Sequence, residues 1–451
     1  MKSLIIITLA TCICCSLPAQ KKVNISIQQT TSTIGKYPIV DTGQAECFDN
    51  NNVIDAPVKG SLFYGQDAQF KQNEPSYSDN ENGTITDRVT GLMWQKGFEI
   101  MNYAEALEKL KSFKLAGYND WRLPTIKEAY SLILFSGIDV NVDDLFSLNP
   151  KNSAPFIDTL YFDFKYASNG NRSIDVQMLT STFYNGLTMD GQQTVFGLNI
   201  ADGRIKGYPL IMPVHPEGTK MDNRQQMPPP GVQSGMRPGQ PPVAGKKSQR
   251  NAVGKKLFTV RFVRGNVEYG KNNFKDNLDN TITDRATNLM WSKEDSKKAM
   301  NWEEALAFAR QKNKEAYLGY NDWRLPNAKE LQSIVDYGRS VQKTNSAAID
   351  PLFITTEIKN ELGQKDFPWF WTSTTHKGAF NDAAVYICFG SGLGYMPSLN
   401  GETTKLMDVH GAGSQRSDPK SGDPKMFSKG RGPQGDVIRI YNYVRLVRDL
   451  H

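Results

Sequence analysis

Eight consecutive residues occur twice in this chain, as Gly117-Tyr118-Asn119-Asp120-Trp121-Arg122-Leu123-Pro124 and as Gly319-Tyr320-Asn321-Asp322-Trp323-Arg324-Leu325-Pro326. Identity over that length means that one structural unit has been built twice. Gly-Tyr-Asn-Asp supplies turn chemistry. Trp-Arg-Leu reads as a short strand, and Pro ends it. A helix start follows each copy. Thr125 stands three residues before Glu128, and Asn327 three before Glu330, which is capping-box spacing. Apolar residues then recur at helical intervals, at Ile126, Ala129, Tyr130 and Ile133 and at Ala328, Leu331, Ile334 and Val335.

The doubling extends on both sides. Thr84-Ile85-Thr86-Asp87-Arg88 with Leu92-Met93-Trp94 is matched by Thr281-Ile282-Thr283-Asp284-Arg285 with Leu289-Met290-Trp291. Gly91 and Asn288 stand at the bend, where left-handed backbone is tolerated best by those two residue types. A β-hairpin follows from this pattern. Asn102 with Glu105, and Asn301 with Glu304, then start a helix in each copy. Later runs at 179–182 and 371–374, and at 194–199 and 383–389, suit strands. Each copy closes on an alternating run, Val260-Arg261-Phe262-Val263-Arg264 and Val444-Arg445-Leu446-Val447-Arg448, as on a half-buried strand. The expected division is a signal peptide at 1–19, a lead segment at 20–75, a first repeat at 76–265 and a second at 266–451.

Each repeat carries a long insertion, at 213–256 and at 399–434. The first is rich in Pro, Gly and Gln and is expected to be disordered. The second is expected to be ordered but irregular. The first insertion holds eight Lys or Arg against Glu217 and Asp222, a net +6 that equals the formal +6 of the whole chain. Lys246, Lys247, Arg250, Lys255 and Lys256 crowd its end. Such a concentration suits an anionic partner, an acidic glycan or a cell-surface polymer; a linker kept soluble by charge is the plainer alternative.

Lys2, the apolar run from Leu4 to Ala10 and Ser16-Leu17-Pro18-Ala19 read as an export signal cleaved after Ala19, with lipid attachment at Cys12 as the alternative. No later run has the ~18 apolar residues of a membrane span. Nucleic acid is not an expected partner of an exported chain. Processing leaves Cys47 and Cys388, either as one disulfide or as two unpaired thiols. Neither has Cys or His at metal-ligand spacing, so no metal and no cofactor is expected.

Thr-Ile-Thr-Asp, Leu-Met-Trp, Asn-Asp-Trp-Arg-Leu-Pro and the closing Val-Arg-x-Val-Arg together resemble the Lcl C-terminal domain family, over both repeats. That resemblance implies an α+β fold of two tandem C-type-lectin-like repeats with long irregular loop insertions. It implies binding, as in an adhesin, more than catalysis. The chain lacks the Glu-Pro-Asn and Gln-Pro-Asp signatures of calcium-dependent sugar-binding lectins. The Arg-Leu-Pro-Thr step also resembles formylglycine-generating enzymes, but Cys47 and Cys388 do not reproduce their cysteine pair.

Trp94, Trp121, Trp291 and Trp323 could stack on sugars; their place inside regular elements favours the core. Asp87, Asp120, Asp284 and Asp322 with Arg122 and Arg324 read as a structural network that pairs each Arg with a nearby Asp. Asp408, His410, Arg416 and Asp418 mix donors, acceptors and a titratable group in the second insertion, and stand as ligand-binding candidates. Catalysis is not expected of them, because no nucleophile motif accompanies His410.

Overall fold

The computed structural model describes residues 28–29, 36–168, 171–210, 256–397, 404–432 and 434–450. The expected signal peptide and Lys246, Lys247, Arg250 and Lys255 lie outside these residues. The lead segment holds β1 (Gln28–Gln29), β2 (Cys47–Phe48), β3 (Val53–Ile54) and β4 (Phe70–Lys71). Repeat one holds β5 (Tyr77–Asp79), β6 (Thr84–Asp87), β7 (Leu92–Gln95), β8 (Glu99–Asn102), α1 (Tyr103–Leu110), α2 (Ile126–Ser131), β9 (Gln177–Phe183), β10 (Thr194–Asn199), β11 (Arg204–Pro209), β12 (Leu257–Val260) and β13 (Val263–Gly265). Repeat two opens with β14 (Phe274–Asp276), β15 (Thr281–Asp284), β16 (Leu289–Ser292), α3 (Trp302–Lys314), α4 (Ala328–Ser333) and α5 (Val341–Thr344). It continues with β17 (Ile358–Lys359), β18 (Lys365–Asp366), β19 (Trp369–His376), β20 (Ala383–Cys388), β21 (Leu393–Pro397), β22 (Thr404–Asp408), β23 (Gln415–Pro419) and β24 (Val447–Asp449).

The doubling is physical. Each repeat forms a four-stranded antiparallel sheet, β13-β7-β6-β5 in one and β24-β16-β15-β14 in the other. The closing run therefore returns to its own opening hairpin, with Val263 opposite Trp94 and Val447 opposite Trp291. The octapeptide clasps the far side of that run through the bridges Arg122–Val263 and Arg324–Val447. Trp94, Trp121, Trp291 and Trp323 are all buried, as expected of core residues. Both second helices form their capping boxes. Their first free N–H groups, on Ile126 and Ala328, donate to Thr182 and Thr374 Oγ1, each at 3.0 Å. The Thr-Ser-Thr runs on β9 and β19 thus hold the helix starts against the sheet.

The closing runs differ from expectation at Arg261 in one copy and at Arg445 and the nearly buried Arg448 in the other. Arg261 and Arg445 do not face solvent but are fully buried. Arg261 donates to the carbonyls of Gly97, Lys96 and Asp163, and Arg445 to those of Ser292, Lys293 and Ile354. A guanidinium can be buried when carbonyls meet its fork of donors. Burial still pulls each of them down to about 10.

An eight-stranded sheet, in the order β19-β20-β23-β11-β10-β9-β12-β8, runs through both repeats. In repeat one, the strand after β10 pairs with it directly. In repeat two, the strand after β20 leaves the sheet and forms the β21–β22 hairpin. β23 then takes the place beside β20 and reaches across to β11, with Ile205 opposite Gln415. The second insertion, expected to be irregular, therefore supplies the strand that joins the halves.

The expected α+β, C-type-lectin-like class is corrected by this architecture. Strand makes up 31% of the structure and helix 14%, so the protein is mainly β. The helical signals were real but short: α2 and α4 have six residues each. The strands outweigh them, yet β10 and β19 are buried along their whole length and so carry no alternation to reveal them. Among the described residues no helix is long and apolar enough to cross a membrane.

One apolar cluster contains residues of both repeats, including Trp94, Ile126 and Phe196 with Trp291, Leu331 and Val385. α2 and α4 meet there and exchange matching lysine contacts. Lys127 Nζ donates to the Ser333 carbonyl at 2.7 Å, and Lys329 Nζ to the Ser131 carbonyl at 2.9 Å. Equivalent groups swapping partners is the mark of a two-fold relation between the repeats. Cys47 and Cys388 are free, buried thiols, not a disulfide. Cys388 packs within the second repeat's own cluster, whereas Cys47 sits on the lead hairpin β2–β3 outside it.

Candidate functional site

Two places gather polar side chains. The first is the seam where β23 meets β11. On its other side β23 pairs with β20, with Arg416 opposite Tyr386 and Asp418 opposite Ala384. Asp436 accepts from His410 Nε2 at 2.8 Å and from the Arg416 guanidinium. Burial, then the charges of Arg416 and Lys206, hold His410 well below its ordinary value. Lys206 bonds Asp202 at 2.7 Å. Burial would raise Asp202, but Lys206 and Arg204 hold it at about 2. Arg204 donates to Asp139 at 2.8 Å and to His376 Nδ1 at 3.1 Å, and His376 Nε2 donates to the Asp202 carbonyl at 2.8 Å.

The other sequence candidates are spent in the same way. Asp408 Oδ1 accepts from the N–H groups of Gly392 and Gly411, and Oδ2 from the Tyr184 hydroxyl of repeat one at 2.9 Å. Asp418 Oδ2 accepts from the N–H groups of Arg439 and Ile440 at 3.0 and 3.2 Å. Lys256 Nζ donates to Gln177 Oε1 at 2.9 Å. Among the described residues no hydroxyl or thiol bonds His410, so its pairing with Asp436 serves the seam. Burial pushes the Asp408 carboxyl up to about 6. A carboxyl raised in the fold contributes stability below its unfolded value near 4, and loses it as pH rises toward 6. Asp408→Asn should remove that slope: between pH 4 and 6, unfolding free energies measured by denaturant titration should fall about 2 kcal/mol further in the parent than in the variant.

The second place is the corner formed by each octapeptide and its helix. Arg122 makes a bidentate pair with Glu128, both bonds 2.6 Å. Arg324 pairs likewise with Glu330 at 2.5 and 2.7 Å. The expected pairing of each Arg with one of Asp87, Asp120, Asp284 and Asp322 is not formed. Asp120 and Asp322 instead bind Arg264 and Arg448 of the closing run, at 2.6 and 2.7 Å. The capping glutamates were visible in sequence, but their second role as Arg partners was not.

The two corners are finished differently. Over repeat two's pair lies the lead segment: the Phe70 ring is 5.5 Å from the Arg324 guanidinium, and Gln72 Nε2 donates to Glu330 Oε1 at 2.8 Å. Asp449 adds a second carboxylate to Arg324 at 2.9 Å. Over repeat one's pair is a cavity of about 670 Å³, lined by Arg122, Thr125, Glu128, Val267, Tyr269 and Tyr337 among others. The Arg122 side chain is 30% exposed, against 3% for Arg324.

The family model of the Lcl C-terminal domain matches residues 83–211 and 280–407, more than half of the chain. The chain belongs to the Lcl C-terminal domain family. No curated protein and no solved structure matches it. Each Lcl C-terminal domain match opens in the turn before β6 or β15, and takes in the octapeptide and its corner. The seam strand β23 and both closing runs lie beyond the matched ranges. In the sheet that joins the two Lcl C-terminal domains, one side of the joint, β23, is therefore built from residues outside the matches and the other, β11, from residues inside them.

Proposed function

We propose that the protein is an exported, non-enzymatic ligand-binding or adhesion component of a bacterial envelope, with an anionic glycan or surface polymer as partner. The observation that carries this reading is the net +6 of segment 213–256, the equal of the whole chain's formal charge. Charge placed in one insertion attracts a polyanion without being required by the doubled scaffold. His410 and Asp418 are buried, and Asp408 and Arg416 are half-buried and bonded within the fold, which argues against catalysis by this loop, because a reacting group must be reached by substrate.

A glycan array read at rising salt tests the proposal. Binding to acidic glycans should weaken steeply with ionic strength. Deleting 213–255, which spares Lys256, should remove it while leaving the unfolding midpoint unchanged. No salt-sensitive binding to any acidic glycan or envelope polymer would sink this reading in favour of a structural envelope component.

A further inference from the structure

We infer that the open corner of repeat one is a second binding site, for a carboxylate carried beside an aromatic ring and an amide N–H, as in an N-acyl aromatic amino acid or a peptide ending in one. The site is built from residues outside segment 213–256 and goes beyond the polyanion reading. Its template is inside the protein. In repeat two, three groups converge on the Arg324–Glu330 pair: the Phe70 ring, the Gln72 amide and the Asp449 carboxylate. Counting back from Thr84 and Thr281, Val267 stands where Phe70 does and Tyr269 where Gln72 does. Counting along the closing runs, Gly265 stands where Asp449 does. All three covering groups are thus missing from repeat one, while the Arg122–Glu128 pair they would cover is kept.

The consequence is a pair with unused chemistry. Among the described residues the Arg122 guanidinium bonds Glu128 alone, where Arg324 also binds a second carboxylate. A guanidinium has five donors in a planar fork and favours carboxylates. Val267 is 63% exposed and lines the same cavity as Arg122 and Glu128. A ligand's carboxylate takes the place that Asp449 fills on the other side. Its ring takes the place of Phe70, stacked against the guanidinium, and its N–H donates to Glu128 as the Gln72 amide does to Glu330.

Calorimetric titration of the full chain with N-acetyl-L-phenylalanine tests this. Binding should weaken at least tenfold for N-acetyl-L-phenylalaninamide, which lacks the carboxylate, and for N-acetyl-L-alanine, which lacks the ring. Val267→Phe refills the corner from within and should weaken binding at least tenfold at an unchanged melting temperature. Deleting 213–255 should leave this binding intact, so its fate is separable from that of the polyanion reading. A free-acid peptide Gly-Gly-Gly-Phe that outbinds the acylated amino acid assigns the site to peptide C-termini; the reverse order assigns it to the small molecule. No binding of either acid, equal binding of the amide, or indifference to Val267→Phe overturns the inference.

Discussion

Arg324→Ala should lower the unfolding free energy by about 3 to 5 kcal/mol, and Arg122→Ala by only about 1 to 2 kcal/mol. The two arginines occupy the same place in the same octapeptide, so local sequence offers no reason for a difference. The surroundings do. Arg324 is 3% exposed and neutralises Glu330, which is fully buried, and Asp449. Removing it leaves two carboxylates facing each other with no cation between them, one of them out of reach of water. Glu330 also caps α4 and accepts from Gln72, so its own position depends on the charge it balances. Arg122 is 30% exposed, and water from the cavity can take over part of its work for Glu128. Urea unfolding with unchanged m-values measures both losses. Equal losses would mean that the open corner is not open in solution.

That difference shows what a reader of the sequence could and could not see. Capping boxes, hairpin turns and core tryptophans are settled by residues within a few positions of each other, and these were legible. Long-range matters were not. Nothing in Gln415-Arg416-Ser417-Asp418-Pro419 announces a strand that would join two halves, because its partners Ile205 and Ala383 to Ile387 are remote in sequence. Arg261 and Arg445 sit in alternating runs where a charge reads as solvent-facing, and only the carbonyls of distant loops reveal them as buried. The exchange of Phe70 for Val267 is written in the chain, but it acquires meaning only when the fold lays each residue over an arginine–glutamate pair. The same holds for His410. Its neighbours in sequence marked it as a ligand-binding candidate, whereas its partner in space is Asp436.

Arg416→Ala tests that last arrangement and should be costly in a pH-dependent way. Arg416 and His410 both bond Asp436, and Arg416 is one of the charges that keep the imidazole neutral. Without Arg416, Asp436 is left buried with only a neutral ring beside it, and the loss at pH 8 should be about 3 to 5 kcal/mol. The imidazole can then take a proton and stand in for the missing cation. Its value in the folded variant rises above that in the parent. A histidine raised by a new partner contributes stability at low pH and loses it as pH rises through the folded value. The variant should therefore recover about 1 to 2 kcal/mol relative to the parent on going from pH 8 to pH 5. Measured against His410→Phe alone, Arg416→Ala in that background should cost as much at pH 5 as at pH 8, because the ring that replaces the imidazole cannot be protonated. Denaturant titrations of both single variants and the double variant at both pH values decide the matter. A loss that ignores pH would show that His410 stays neutral for want of water rather than because of Arg416, and that burial alone sets its state.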